Sequence, residues 1–412
     1  MDWTRRSVLG SLAAVPCIGN AGTRHGATSL IVVYADGGWD PTFVLDPVVG
    51  RASIDGPELD EDASVDGDTE TLQRASGLAF MSNPIKRPAV DTFFAKHAQR
   101  LLVLNGLSIG EIAHPRGRQR VLTGGVDPLA PDLATVAALF ADPSHALPCV
   151  DLSGFGQPGV FHHVMTRLGR RQQLGALLRP QGIDDGLQRR IGEDDRSRID
   201  SWWQSRNEAL RVERSDMRGS LESWSAARET ASSWRTDDAL NGALSPGPRY
   251  RLRGQVDTAL NLIERGLTRS VMLATTQSWD THDEVTRQHA SWDSFFDDFG
   301  YLVDTLIAKR LLERTLVVVL SDLGRSPKRN SRNGKDHWPV SSALVLGAGV
   351  RGGRTLGATD EHLQSMPVQL GTGRLSDSGV LPSAAHLFAG VLWSLGIDPA
   401  PWGAEADPLL FT

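Results

Sequence analysis

Short runs of aliphatic and β-branched residues, apolar on both faces, punctuate the chain at 29–34, 101–104, 270–275, 315–320 and 343–346. A strand with one wet face alternates apolar and polar residues, so continuous runs of this kind predict strands of a sheet covered by helices on both sides. Helical periods fall between them. Trp292, Phe295, Phe296, Phe299, Leu302, Val303, Leu306 and Ile307 recur at three- and four-residue spacing, which puts one apolar stripe on a helix just ahead of the 315–320 run. Residues 132–140 and 384–395 predict two more helices. Strands and helices in alternation imply an α/β fold: a three-layer sandwich with a mostly parallel central sheet and helices on both faces.

Two stretches break this pattern. Residues 46–86 are acidic, rich in Gly and Asp and weakly periodic, and predict a surface excursion after the first strand. Residues 181–245 are rich in Arg, Asp, Glu, Ser and Trp and read as a solvated helical insertion, either a cap over a site or an outer excursion. With 412 residues the chain can bury a large core, so the rest, residues 26–412, is expected to form one large α/β domain around that insertion.

The amino terminus changes the picture of where the protein works. Arg5 and Arg6 precede a short apolar run over 8–18 and small residues beyond it, the layout of an export signal over residues 1–25. The segment Thr4-Arg5-Arg6-Ser7-Val8-Leu9 resembles the twin-arginine signal, which implies passage of a folded chain through the twin-arginine translocase and a periplasmic or secreted product. The apolar run is too short to span a bilayer. A net charge of −6 without a basic tract argues against a nucleic-acid partner, and two cysteines, Cys17 and Cys149, are too few for a disulfide framework or a thiolate metal cluster.

The chemistry gathers where apolar runs end. Asp36 stands in Tyr34-Ala35-Asp36-Gly37-Gly38, Asp280 in Ser278-Trp279-Asp280-Thr281-His282, and Asp322 in Leu320-Ser321-Asp322-Leu323-Gly324. Open α/β sheets bind ligands beyond the carboxyl ends of their strands, so these carboxylates are expected to converge there. Converging carboxylates repel one another unless a cation neutralises them. His282, two residues past Asp280, and His337, in a polar loop before the 343–346 run, complete an oxygen and nitrogen donor set. Such a set suits one or two ions of zinc, manganese, magnesium or calcium. His114, Arg116, Arg118 and Arg120 form a second cluster after the 101–104 run, able to meet an anionic substrate or simply to open a solvated helix. Arg325 is a further candidate for holding an anion near the metal, and Lys335 a weaker one.

Four segments occur in order: Ser278-Trp279-Asp280-Thr281-His282, the stretch from Leu320 through Asp322 to Pro327, Lys335-Asp336-His337-Trp338-Pro339, and the stretch from Arg351 through Gly352-Gly353 to Asp360. Together they resemble the domain-of-unknown-function family 1501, exported bacterial proteins placed in the alkaline phosphatase and sulfatase superfamily. The resemblance implies an alkaline phosphatase-like sandwich that hydrolyses or transfers phosphate or sulfate esters at a metal site. Within it, Asp36, Asp280, His282, Asp322 and His337 would match metal ligands, and His114 and Arg118 would fall at the reacting position, with Arg325 a catalytic candidate from its place after Asp322 alone. Two departures stand out. Superfamily hydrolases usually follow the later aspartate with a histidine, where this chain has Leu323, and they place a Ser, Thr or Cys-derived nucleophile where this chain has His114. Two functions follow: an exported metal-dependent hydrolase of a small anionic ester, using metal-bound water or an unmatched nucleophile, or a catalytically degenerate binding or assembly protein of the periplasm.

Overall fold

The protein is described from a computed structural model, covering residues 27–168, 193–214, 221, 225, 251–402 and 407–411. The export signal expected over residues 1–25 lies outside these residues. Strands in chain order are β1 Ser29–Ala35, β2 Thr71–Ala75, β3 Leu78–Ser82, β4 Leu102–Ser108, β5 Cys149–Asp151, β6 Met165–Arg167, β7 Ser270–Ala274 and β8 Thr315–Ser321. They continue with β9 Gly324–Arg329, β10 Lys335–Trp338, β11 Val340–Gly347 and β12 Arg354–Leu356. The longer helices are α1 Pro88–His97, α2 His114–Thr123, α3 Leu133–Leu139, α4 Glu193–Glu213, α5 Leu252–Glu264, α6 Arg287–Ala308 and α7 Ala384–Ser394.

The chain divides into two compact units, one interrupted between Thr166 and Arg251 by the other. Of the helical insertion expected over 181–245, α4 is the described element, a 21-residue polar helix that belongs to the smaller unit.

The larger unit holds an eight-stranded sheet in the order β12-β4-β11-β8-β1-β7-β5-β6. Every residue of β1, β7 and β8 is buried, the condition their unbroken apolar runs predict. Leu30, Val32, Tyr34, Val318 and Leu320 face a layer built with Val121, Leu122, Leu133, Val136, Leu387 and Phe388 of α2, α3 and α7. The alternate residues Ile31, Val33, Val317 and Val319 are equally buried, and strand geometry turns them to the opposite face. On that side α6 carries its predicted stripe against α1, with Phe93 stacked on Phe299 at 5.0 Å between ring centroids. Helix starts follow local capping chemistry: Asp132 accepts from the Thr135 amide at 2.7 Å, and Ser383 with His386 closes a capping box.

The region 46–86 is in part the surface excursion the sequence suggests, with residues 61–67 and 71–74 exposed, and in part a piece of the core. It contains the β2–β3 hairpin, whose Ser76 and Gly77 both adopt positive φ, and whose β3 residues Leu78, Phe80 and Met81 are buried. Two-residue turns with positive φ at both positions match the twist of the strands they join.

What positions the site is the direction of one strand. β1 runs parallel to β7 and β8, but β11 runs antiparallel to both β8 and β4. The carboxyl ends of β1, β4, β7 and β8 therefore share a sheet edge with the amino end of β11, where Val340 pairs with Ser108.

Candidate metal centre

Residues reach that edge by short paths. Asp36 and Asp322 immediately follow β1 and β8, Asp280 and His282 lie in the loop after β7, His114 opens α2 after β4, and His337 sits in β10, just ahead of β11. The first turn is held by backbone fit: Gly37 has φ +113, and a Cβ there would meet the Asp280 amide nitrogen at 2.9 Å. A side chain at Gly37 would thus be strained twice, by conformation and by contact.

Asp322 is fully buried and spends both oxygens inside the protein. Its Oδ1 accepts from the amides of Gly37 at 3.1 Å and Gly38 at 2.9 Å, and its Oδ2 lies 2.7 Å from His114 Nδ1. His337 Nδ1 donates to the Ile112 carbonyl at 2.6 Å, and His282 Nδ1 lies 3.1 Å from Asp336 Oδ1. A carbonyl or an ionised carboxylate can only accept, so each of the three rings carries its proton on Nδ1 and turns an Nε2 lone pair outward when neutral.

All three Nε2 atoms face Asp280. The Oδ1 of Asp280 is 3.3 Å from His282 Nε2 and 3.5 Å from His337 Nε2, its Oδ2 is 3.5 Å from His114 Nε2, and His282 Nε2 is 2.9 Å from His337 Nε2. Donor atoms of His114, Asp280 and His337 lie within 4.8 Å of one another. The buried Nε2 of His114 has no hydrogen-bond partner. Bonds of roughly 2.0–2.1 Å to a tetrahedral ion put neighbouring ligand atoms about 3.3 Å apart, so the donor set fits a divalent cation.

The electrostatics agree with acceptors held close together. The Asp322 hydrogen bond raises His114 above the ordinary imidazole value against the opposing effect of burial, while burial lowers His337. Burial pushes Asp280 up, but the hydrogen bond and charge of Arg325, with His114 and His282, outweigh it and hold the carboxyl below its usual range.

The expected ligands thus separate. Asp280, His282 and His337 converge, joined by His114, which the sequence places among the reacting residues. Asp322, expected as a ligand, stands behind His114 as the carboxylate that orients its ring, the usual second layer of a metal site. Asp36 lies at the rim, its Oδ1 accepting from the Tyr34 hydroxyl at 3.0 Å and 3.8 Å from Arg118 Nη1. Arg325, expected to hold an anion, is 1% exposed and donates to the carbonyls of Gly37, Gly38 and Lys335 and to Asp280 Oδ1, so it organises the loops instead. Lys335 is likewise consumed, in a fully buried ion pair with Asp40 at 2.7 Å. Arg118 keeps a partly exposed guanidinium over the Phe155 ring, 5.2 Å from its centroid. Leu323, at the position of the missing histidine, is fully buried; a Cβ on Gly117 of α2 would meet its Cδ2 at 3.1 Å.

Sequence reasoning gives Asp336 and Ile112 no role. Asp336 directly precedes a predicted ligand, a signal that could have marked it; the carbonyl of Ile112 leaves none.

Residues 27–371 match the family model described as "Protein of unknown function (DUF1501)". No protein of curated function matches the chain in sequence. Among solved structures, the chain is similar to a protein in the alkaline phosphatase superfamily from Vibrio parahaemolyticus, at 12% identity over 91% of this chain and 68% of that one, with a TM-score of 0.41. It is also similar to the lipoteichoic acid synthase LtaP from Listeria monocytogenes, at 8% identity over 95% and 77% with a TM-score of 0.42. A third is the phosphonate monoester hydrolase SpPMH from Silicibacter pomeroyi, at 10% identity over 93% and 76% with a TM-score of 0.40.

Proposed function

Because the chain belongs to the DUF1501 family, whose description assigns no activity, we propose a function from the site itself: metal-dependent hydrolysis of a phosphate or sulfate ester, by a protein exported through the twin-arginine pathway. The single observation that carries this reading is the set of three imidazole Nε2 lone pairs aimed at one carboxylate. Lone pairs of His282 and His337 at 2.9 Å repel unless a cation or a proton lies between them, and the Asp280 carboxylate at 3.3–3.5 Å adds to the demand for positive charge. His114, Asp280, His282 and His337 would hold the metal. Bound there, a divalent cation supplies Lewis acidity and lowers the pKa of a coordinated water.

The chain's own groups do the rest. Asp322, Asp336 and the Ile112 carbonyl keep each imidazole in the tautomer that presents Nε2, which pre-pays the ordering of the donor set. Arg118, braced between Phe155 and Asp36, offers the substrate anion a guanidinium with a fixed direction. Tyr34 is held as the neutral phenol by burial and by the charges of Asp322 and Asp36, so its hydroxyl donates to Asp36 and keeps that carboxylate facing Arg118. Among the described residues no helix is long and apolar enough to cross a membrane.

The test is elemental analysis of the purified chain, followed by turnover of a panel of phosphate and sulfate esters. Stoichiometric metal, lost together with turnover in His337→Ala, is the expected result. A wild-type chain that takes up no divalent metal would refute the reading, and bound metal without turnover across the panel would leave a binding protein with a structural ion.

A further inference from the structure

At the outer edge of the sheet β12 pairs with the amino-terminal residues of β4, away from the carboxyl end that leads to His114, and beside it lies a cavity of about 370 Å³. Its volume falls in the range of small-molecule sites. Three arginines, Arg351, Arg354 and Arg374, line it together with Thr372, and among the described residues no carboxylate lines it. This concentration of positive charge occurs on a chain whose net charge is −6.

The walls of the cavity are built rather than incidental. The Gly357 amide donates to the Gly373 carbonyl at 3.0 Å, tying the strand to the turn that carries Thr372 and leads into the short strand Arg374–Leu375. Gly373 has φ +66, and a Cβ there would meet Leu356 Cδ2 at 2.3 Å, so the close approach of strand and turn depends on glycine. Arg354 Nε donates to the Arg351 carbonyl at 3.1 Å, which fixes the direction of the middle guanidinium. Burial first, and then the neighbouring Arg351 charge, lower Arg354 from the ordinary arginine value. Arg351 and Arg374 are exposed, and neither takes part in an ion pair among the described residues.

The geometry points to a second ligand site in this groove, separate from the metal centre, that binds a compound bearing phosphate or sulfate groups through the guanidinium forks of Arg351 and Arg374, with the Arg354 charge between them. Planar guanidiniums match tetrahedral oxyanions two hydrogen bonds at a time, which a scatter of lysines would not do. The anionic groups can be those of a small free molecule or those carried on a polymer, and the same forks serve both. The competing explanation for arginine on this strand is protection of a sheet edge, since charges there deter pairing with another chain.

The experiment is isothermal titration of the His337→Ala chain in the presence of chelator, which keeps anions from reporting on the metal centre, first with inorganic pyrophosphate and then with a sulfated oligosaccharide. Binding by either probe, weakened about tenfold or more in Arg351→Ala/Arg374→Ala and falling with added salt, is the expected result. Binding by pyrophosphate assigns a small free ligand, and binding by the oligosaccharide alone assigns a polymer-borne one. The double variant changes two exposed side chains, and circular dichroism checks that it folds. No binding by either probe overturns the proposal. So does binding unchanged in the double variant, and so does self-association of that variant in sedimentation without any loss of binding, which identifies edge protection as the role of the arginines. Because metal content is read separately, failure here leaves the hydrolase reading standing, and the reverse also holds.

Discussion

Two clusters of histidine, carboxylate and arginine sit in this molecule, and they solve opposite problems. Around His289, Nδ1 meets the Arg87 guanidinium, Nε2 lies 3.3 Å from Asp60 Oδ2, Arg87 also pairs with Glu70, and Asp60 is 2.8 Å from Arg329. Every carboxylate there faces a cation, and the buried atoms without a partner, Nε of Arg87 and Nε of Arg329, belong to guanidiniums already paired through their other nitrogens. Around Asp280, each histidine has one nitrogen held by the protein and the other turned toward a carboxylate that can only accept. Residue type does not separate the two clusters; what remains after internal partners are counted does. A closed network stabilises, while one whose remaining atoms share a sign and a direction is a request for a ligand.

Removing a member of the closed network should have the largest effect. Arg87 is fully buried, so Arg87→Ala leaves Glu70 without its charged partner, and the expected loss is about 3–5 kcal/mol in denaturant unfolding. Metal content of the folded fraction should be unchanged; a parallel loss of metal would show that the two clusters are coupled and break the contrast. A smaller effect is expected from the open network. Asp336→Ala removes the acceptor that orients His282 and should weaken metal binding about tenfold, read by competition with a chelator, with little change in the unfolding midpoint. An unaltered affinity would take His282 out of the ligand set.

The smallest effect is a difference of sign with pH. In metal-free protein, imidazole proton resonances should show His114 titrating above the ordinary value, through its bond to Asp322, and His289 below it, through burial. The contribution of His114 to stability is then complete below the unfolded-state value and is lost as pH rises through the folded one. That of His289 is present above the unfolded-state value and is lost as pH falls through that value toward the folded one. Titration of both in the same direction would remove the distinction between the networks.

The layers and the sheet edge were legible because burial on both faces leaves apolar runs that end in Asp36 and Asp322, and because α6 repeats its aromatics at helical spacing. The donor set was legible only in part. Asp322 looks like a ligand in sequence, but its Oδ1 is consumed by amides of Gly37 and Gly38, which lie more than 280 positions away and turn toward it through positive φ. Arg325 looks like an anion clamp until the pairing of β9 with β10 sets it opposite His337 and buries it among carbonyls. The nearness of His114 to His337 was hidden for a related reason: helix α2 presents its ring edge-on to His337, 4.3 Å between centroids, a tertiary contact with no trace in spacing. The β2–β3 hairpin had a local sign, Ser76-Gly77 between two short runs, which the acidic composition around it obscured.

The reversed direction of β11 has one more consequence. A strand advances about 3.3 Å per residue, so had these eight residues run with their neighbours, the chain ahead of them would emerge about 25 Å away, at the opposite rim of the sheet. His337 would then be unable to meet His114 at all. Only Trp338 and Pro339 separate it from Val340, and a single residue added to that link would swing the imidazole to the wrong side of its ribbon. The spacing from His337 to Val340 is therefore as much a part of the donor set as the four side chains themselves, and natural variation in length should be absorbed elsewhere in the chain.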